Sequence, residues 1–310
     1  MDDFRLLRVL REVALRGSFS AAAEALDYSQ PAISQQIARL ERQVGVKLIE
    51  RRPKGLELTA AGGILVRHTE TILGQLAAAE DELSELSADA RGRIRIGAFA
   101  TAAGTVLPRA VAAFRRVRPA VDVELSLMEP FDSVAALRRG ELEVALTEEG
   151  GFSGDTDTSG LEREHLMDDE LRVALPADHP LATRRAIALA DLRDEDWMLA
   201  CLSGTCADSN VVLRACRDAG FQPRIAYTSD DYFAIQGLVA SGMGVALIPG
   251  LALASIRDDV AIRPVRGRPP VRRIAAVTAA ATPIGAMGTM LECLREASAA
   301  YADSGVAAAA

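Results

Sequence analysis

Gln30, Ser34 and Gln35 lie in the stretch ALDYSQPAISQQIARLE, opposite an apolar series at helical spacing: Ile33, Ile37, Leu40 and, just beyond, Val44. Their amides and hydroxyl both donate and accept hydrogen bonds. Such groups pair with the edges of nucleic-acid bases in the major groove. Two readings of this face stand: a plain solvated helix surface, or one that meets base edges in place of water. The charges nearby favour the second. Both lysines of the chain, Lys47 and Lys54, fall in Pro31–Lys54 with Arg39, Arg42, Arg51 and Arg52, against only Glu41 and Glu50. A local basic patch can supply phosphate binding on an acidic chain, because screening removes charge beyond about 8–10 Å.

Several elements must hold that face. Leu6, Val9, Leu10 and Val13 predict a first helix over Phe4–Leu15, ended by Gly17. Ser20 is the expected cap of a short, alanine-rich second helix reaching Leu26, with a turn at Asp27 and Tyr28. Ser29 then caps the third helix, and Pro31 sits in its first turn, where a missing N–H is harmless. Two helices joined by so short a turn form a helix-turn-helix, whose second helix reads bases with its N-terminal residues. The segment VKLIERRPKGLELT predicts two short strands around Pro53-Lys54-Gly55, a basic hairpin placed to touch phosphates. The residues expected at the major groove are therefore Tyr28, Ser29, Gln30, Pro31, Ser34, Gln35 and Arg39, with Arg51, Arg52 and Lys54 on the backbone.

The run GSFSAAAEALDYSQPAISQQIARLERQVGVKLIERRPKGLELTAAG, Gly17 to Gly62, resembles the winged helix-turn-helix of LysR-type transcriptional regulators. One departure is Ile49, where that family usually carries Phe. The resemblance implies a multidomain chain: a winged helix-turn-helix over residues 1–59, a long linker helix over 60–90 and an effector domain over 91–303. The last is expected to be an α/β, two-lobed, periplasmic-binding-protein-like domain joined by two crossovers. Lobe I would take in 91–163 and 270–303, lobe II 164–269, and 304–310 would be a tail.

The residues support this layout. Thr59 can cap a helix reaching Leu86, on which Leu65, Ile72, Leu76, Ala79, Leu83 and Leu86 follow a heptad seam suited to a second copy. The same stripe would also serve a helix docked on its own domain. The resemblance makes this helix a dimer interface. From Arg91 strand and helix patterns alternate, as in a parallel βαβ sheet: RIRIGAF, VDVELSLM and LEVALT, then DDELRVALP as a crossover, then DWMLACL, RIAYTS and GVALIP, and last RRIAAVTA.

Ligands of such sheets bind at strand ends and helix N-termini. That selects Ala100, Thr101 and Ala102; Met128 and Glu129; Ser203, Gly204, Thr205 and Cys206; and Asp230, Asp231 and Tyr232. Ordinary helix capping explains the same residues equally well. The resemblance puts the effector cleft between Thr101 and the loop 203–206. Glu129, Asp230 and Asp231 oppose a multiply charged anion, so a small, mostly apolar or singly charged co-inducer is expected. Gly242 and Gly244 are expected to serve turn geometry.

Composition excludes other classes. Net charge is −8, with ten Lys/Arg against eight Asp/Glu in residues 1–60 and 25 against 35 beyond. No apolar run reaches the roughly 18 residues of a membrane span, and the charged N-terminus does not resemble a signal peptide, so a cytoplasmic chain is expected. Four unevenly spaced cysteines and three separated histidines give no metal-ligand spacing. No GxSxG, P-loop or GxGxxG after a strand occurs, so neither an enzyme nor a resident cofactor is expected. The expected partners are double-stranded promoter DNA, a second copy in a homodimer or homotetramer, the effector, and RNA polymerase. Two rivals remain. Cys206, ten residues before Cys216, lies in a region resembling that of the reactive cysteines of peroxide-sensing family members. A solute-binding module without DNA activity is opposed by the first sixty residues.

Overall fold

The computed structural model describes residues 4–52, 55–85, 92–149, 161–200, 207–279 and 285–304. The chain divides into two compact units, one taking in Met1–Glu80 and Arg138–Glu141 and a larger one built from Asp81–Leu137 and Leu142–Ala310.

The first unit begins with three mutually packed helices: α1 (Phe4–Arg16), α2 (Phe19–Ala25) and α3 (Gln30–Val44). Leu6, Leu7, Val9, Leu10 and Val13 meet Ala22 and Ala23 of α2 and Ile33, Ile37 and Leu40 of α3 in one buried cluster. Burying each large aliphatic side chain contributes about 1.5–3 kcal/mol, and the small residues of α2 let its neighbours approach closely. Ser18, not Ser20, caps α2; its Oγ accepts from the Ala21 N–H at 3.4 Å. The helix starts at Phe19, which leaves Ser20 inside the first turn. Ser29 caps α3 as expected, accepting from the Ala32 N–H at 3.4 Å, with Pro31 in the first turn.

Strands β1 (Ile49–Arg52) and β2 (Gly55–Leu58) pair antiparallel, Ile49 opposite Leu58 and Arg52 opposite Gly55. The long helix α4 (Ala60–Glu85) follows. Thr59 Oγ1 accepts from the Gly62 N–H at 3.0 Å and donates to the Lys47 carbonyl at 2.7 Å. Only glycine fits at position 62, because a Cβ there would lie 2.1 Å from the Leu48 carbonyl oxygen. Leu65 is half-buried against this unit's own core. Ile72 and Leu76, further along α4, are exposed.

The larger unit contains β3 (Arg93–Ala98), α5 (Ala100–Ala103), α6 (Val106–Val117), β4 (Asp122–Leu127), α7 (Pro130–Arg138) and β5 (Val144–Glu149). After these come β6 (Glu162–Pro176), β7 (Asp196–Leu199), α8 (Ala207–Asp218), β8 (Arg224–Thr228) and α9 (Tyr232–Ala240). The chain closes with β9 (Val245–Pro249), β10 (Val260–Arg263), β11 (Val271–Thr278) and α10 (Gly285–Asp303). The strands run in the order β4-β3-β5-β11-β6-β9-β7-β8, with β10 on β6. At one end β3 is parallel to β4 and β5; at the other β7 is parallel to β8 and β9. Antiparallel β11 and β6 cross between the two halves. Residues 162–170 of β6 pair with β11, while Val173–Pro176 pair with β10 and Leu171–Ala174 with β9.

Each half has its own core. Ile94, Ile96, Phe114, Leu146, Ile274 and Leu294 centre the first. Trp197 with Leu171, Val173 and Val245, and Ile235 with Val239 and Ile248, centre the second. Three features depart from expectation. Strand β6 starts at Glu162, in polar residues that carry no strand-like apolar alternation. Helix α7 starts at Pro130, well placed in a first turn, ahead of the helix over Ser133–Arg139 that the sequence pattern predicts. The short strand β10 was not foreseen. Gly242 and Gly244 do take positive φ, 73° and 144°.

Candidate functional site

Helix α3 separates two kinds of surface. Ile33, Ile37 and Leu40 are buried beneath it, while Gln30, Pro31, Gln35 and Arg39 are exposed and Ser34 is half-buried. Tyr28 and Ser29 are exposed in the preceding turn. The fold thus gathers all seven expected base-reading residues between Tyr28 and Arg39, on a helix whose back is fixed by packing. Arg51 and Arg52 lie on β1; Lys54 lies outside the described residues.

Sequence reasoning missed Glu41. Its carboxylate accepts from the Leu48 N–H at 2.9 Å, the Ile49 N–H at 3.4 Å and Lys47 Nζ at 2.6 Å. Burial pushes this carboxyl up, but Lys47 and the two backbone N–H groups outweigh burial and hold it below the usual range. Glu41 therefore fixes the base of the hairpin to the end of α3. The signal was a carboxylate beside apolar Leu40, in a helix otherwise basic on that side.

In the larger unit, α5 carries exposed Ala100, half-buried Thr101 and buried Ala102. Met128 is half-buried and Glu129 exposed ahead of α7. Partial desolvation, then Asp208, Asp230 and Asp132, raise the Glu129 carboxyl. Asp231 caps α9, accepting from the Phe233 N–H at 2.8 Å, beside exposed Asp230 and half-buried Tyr232. Ser203, Gly204, Thr205 and Cys206 lie outside the described residues, as does Leu86 of the predicted seam. The Ala79 and Leu83 side chains are also outside that description.

Arg272, on β11, joins several of these elements and is only 1% exposed. Its Nη2 donates to Thr101 Oγ1 at 2.8 Å and its Nε to Asp169 Oδ2 at 2.8 Å. Nη1 faces Glu148 Oε1 at 2.8 Å and both Asp208 oxygens at 3.1 Å. The Phe99 ring lies 5.2 Å from the guanidinium carbon. The Tyr232 hydroxyl donates to Asp208, and the Leu251 N–H donates to Asp169 at 3.1 Å. Burial first, then Asp208, pushes the Glu148 carboxyl well above the usual range. Burial also raises Asp169, against the pull of Arg272.

Of the residues singled out in this unit, the network includes Thr101 and Tyr232; Arg272, Glu148, Asp169 and Asp208 were missed. The available signal was a charge entering each of two apolar strands, since Asp169 stands directly opposite Arg272 in register. Arg272 Nη2 donates to the Thr101 hydroxyl, which is therefore the acceptor in that bond. Among the described residues no His/Cys/Asp/Glu group is arranged to hold a metal ion, and no described helix is long and apolar enough to cross a membrane.

The comparisons with known proteins agree with this architecture. Residues 4–63 match the bacterial regulatory helix-turn-helix proteins of the lysR family, and residues 87–299 match the LysR substrate binding domain. The chain is 33% identical over 270 residues to the Hca operon transcriptional activator HcaR of Escherichia coli (strain K12), covering 86% of this chain and 88% of HcaR. It is 28% identical over 284 residues to a hydrogen peroxide-inducible genes activator of Dickeya chrysanthemi, covering 91% of each. The crystal structure of full-length CbnR complexed with its target DNA has the same fold, with a TM-score of 0.59, 26% identity and coverage of 95% of this chain and 99% of that one. The chain belongs to the LysR family: it is a DNA-binding transcriptional regulator with a C-terminal effector-binding domain.

Proposed function

We propose that this regulator reads promoter DNA in the major groove with Tyr28, Ser29, Gln30, Pro31, Ser34, Gln35 and Arg39, while Arg51, Arg52 and Lys54 hold the phosphate backbone. The single observation that carries this is the division of α3 into a packed apolar back and an exposed face of amides and hydroxyls. Two copies pair through α4, where Ile72 and Leu76 are exposed, continued by Ala79, Leu83 and Leu86. A homodimer, or a homotetramer built from it, sets two reading helices on two half-sites. Leu65 contributes to the N-terminal core instead of to this seam's open part. The regulator acts in the cytoplasm, engages RNA polymerase at the promoter and catalyses no reaction. Gln30→Ala and Gln35→Ala should relax base preference by about 1–3 kcal/mol each, whereas Arg51→Ala should weaken all sequences alike and flatten the salt dependence. Unchanged sequence preference in both glutamine variants would refute the assignment of the reading helix.

The effector is a small, mostly apolar or singly charged metabolite held near Ala100, Thr101, Ala102, Met128, Glu129, Asp230, Tyr232 and the loop Ser203–Cys206. Its support is electrostatic: Arg272 is already engaged by three carboxylates, and Glu129 and Asp230 add negative charge. Calorimetric titration of the full chain with a metabolite panel tests this, and a dicarboxylate as the tightest binder would count against it. A second reading, redox sensing through Cys206, draws on the peroxide-inducible relative. Cys216 gives it little help, because burial pushes that thiol up to about 12 and the reactive species is the thiolate. Cys206→Ser, assayed for DNA binding with and without peroxide, separates the two readings.

A further inference from the structure

The network around Arg272 sits where β6 and β11 pass from one half of the sheet to the other. Asp169 and Arg272 face each other across these strands, two residues before β6 takes up its pairing with β9 at Leu171. Thr101 and Glu148 come from the first half, Asp208 and Tyr232 from the second. The interaction therefore spans both lobes and their hinge.

Its atoms do not balance as a set of ionised groups. One guanidinium faces three carboxylates, each buried or nearly so. Nη1 carries two hydrogens, yet three carboxylate oxygens lie within 3.1 Å of it. Glu148 and Asp208 both meet the same Nη1, so their carboxyl groups are close neighbours. Two carboxylates sharing a buried site repel one another, and a proton on one of them removes that repulsion. An unbalanced second negative charge in so dry a place would cost far more than holding a proton.

We propose that a proton held on Glu148 beside Asp208, together with Arg272, forms a pH-sensitive latch that holds the two lobes in the arrangement seen here and loosens them when the proton leaves. The step is a proton transfer from Glu148 to buffer, with no change in covalent bonds between heavy atoms. The resulting carboxylate repels Asp208 and leaves three buried carboxylates on one guanidinium, which loosens the join between the lobes.

The surroundings fit this direction. Phe99 and Thr101 present no charge to the guanidinium. Tyr232 donates its proton to Asp208, and burial keeps that phenol protonated. Two further groups act at a distance: Glu129 bears on Asp208, and Tyr301, under Arg109, bears on Asp169. Glu148 titrates above the ordinary carboxylate range, chiefly through burial. The latch is therefore complete at pH values below that range and is lost as pH rises through the raised value. The shift of Asp169 has the same sign, with burial again the main cause.

This inference rests on the two-lobed effector reading, but its test needs neither effector nor DNA, so failure of one leaves the other standing. Thermal unfolding of the full chain would be followed from pH 5 to pH 9 for wild type, Glu148→Gln and Asp208→Asn. Each variant replaces a carboxyl of the cluster with a neutral amide that can still hydrogen-bond. Between the ordinary glutamate range and the raised titration point of Glu148, wild type should lose about 3–5 °C per pH unit relative to Glu148→Gln, with no further loss above that point. Hydrogen exchange at the Leu251 amide, bonded to Asp169, should speed up over the same interval beyond its intrinsic rise. Parallel unfolding profiles in wild type and both variants would overturn the latch. Should both variants fold poorly, pH-independent protection of Leu251 in wild type would overturn it alone.

Discussion

The two units handle polar side chains in opposite ways. In the N-terminal unit the groups that matter are exposed: Gln30, Gln35 and Arg39 stand on a helix whose partners are all apolar. In the C-terminal unit they are buried and bonded to one another around Arg272. An exposed amide costs the fold nothing and is open to a partner. A buried guanidinium is bound to the fold's own stability, so under the proposed effector site ligand and lobe geometry are coupled there. The first surface suits recognition of a rigid duplex, and the second suits a response.

The sharpest way to break this contrast is Arg272→Ala. It strands three buried carboxylates and should destabilise the C-terminal unit by about 3–5 kcal/mol, read by denaturant unfolding. The N-terminal unit should keep its stability; equal loss in both would dissolve the distinction. Next, Gln35→Ala should cost about 1–3 kcal/mol of base discrimination and under about 0.5 kcal/mol of stability, read by binding competition and thermal melting. A large stability loss would mean that the amide serves the fold and not a partner.

Glu41 is the exception inside the N-terminal unit, a buried polar group with a structural task. Glu41→Ala should cost about 1–3 kcal/mol by leaving the Leu48 and Ile49 N–H groups unpaired, seen in thermal melts. Because its carboxyl is held low by Lys47 and those N–H groups against burial, its stabilisation is present above the ordinary glutamate range. It is lost as pH falls through the lowered value. Acid titration of wild type against Glu41→Ala should show the profiles converging at low pH. Ser29→Ala is the mildest test. Loss of the cap should cost about 0.5–1 kcal/mol, the lower part of the usual range given a 3.4 Å bond.

The same contrast governs what could be seen in the chain before its fold. The exposed face proposed to read bases was legible as a surface because all its residues lie within one helix and one turn, where spacing alone assigns Ile33 and Ile37 to the core and Gln35 to the surface. Ser29 and Pro31 marked the helix start for local reasons. The cap of α2 was misplaced by two residues because Ser18 and Ser20 are chemically alike. The network of the larger unit was not legible. Thr101, Glu148, Asp169, Asp208, Tyr232 and Arg272 come from six elements, and only the strand register brings them together. Thr101 and Tyr232 were found through their places at helix starts, yet their partners were not, since a charge near a strand end reads the same whether buried or solvated.

The central claim is that the amide face of α3 selects DNA sequence. Purified full chain would be offered fragments of the genome that encodes it, in the presence of scrambled competitor, beside a Gln30→Ala, Gln35→Ala double variant. Wild type should enrich fragments carrying two related half-sites, and the double variant should keep salt-sensitive binding while losing that enrichment. No enrichment by wild type, or the same enrichment by the variant, would contradict the account.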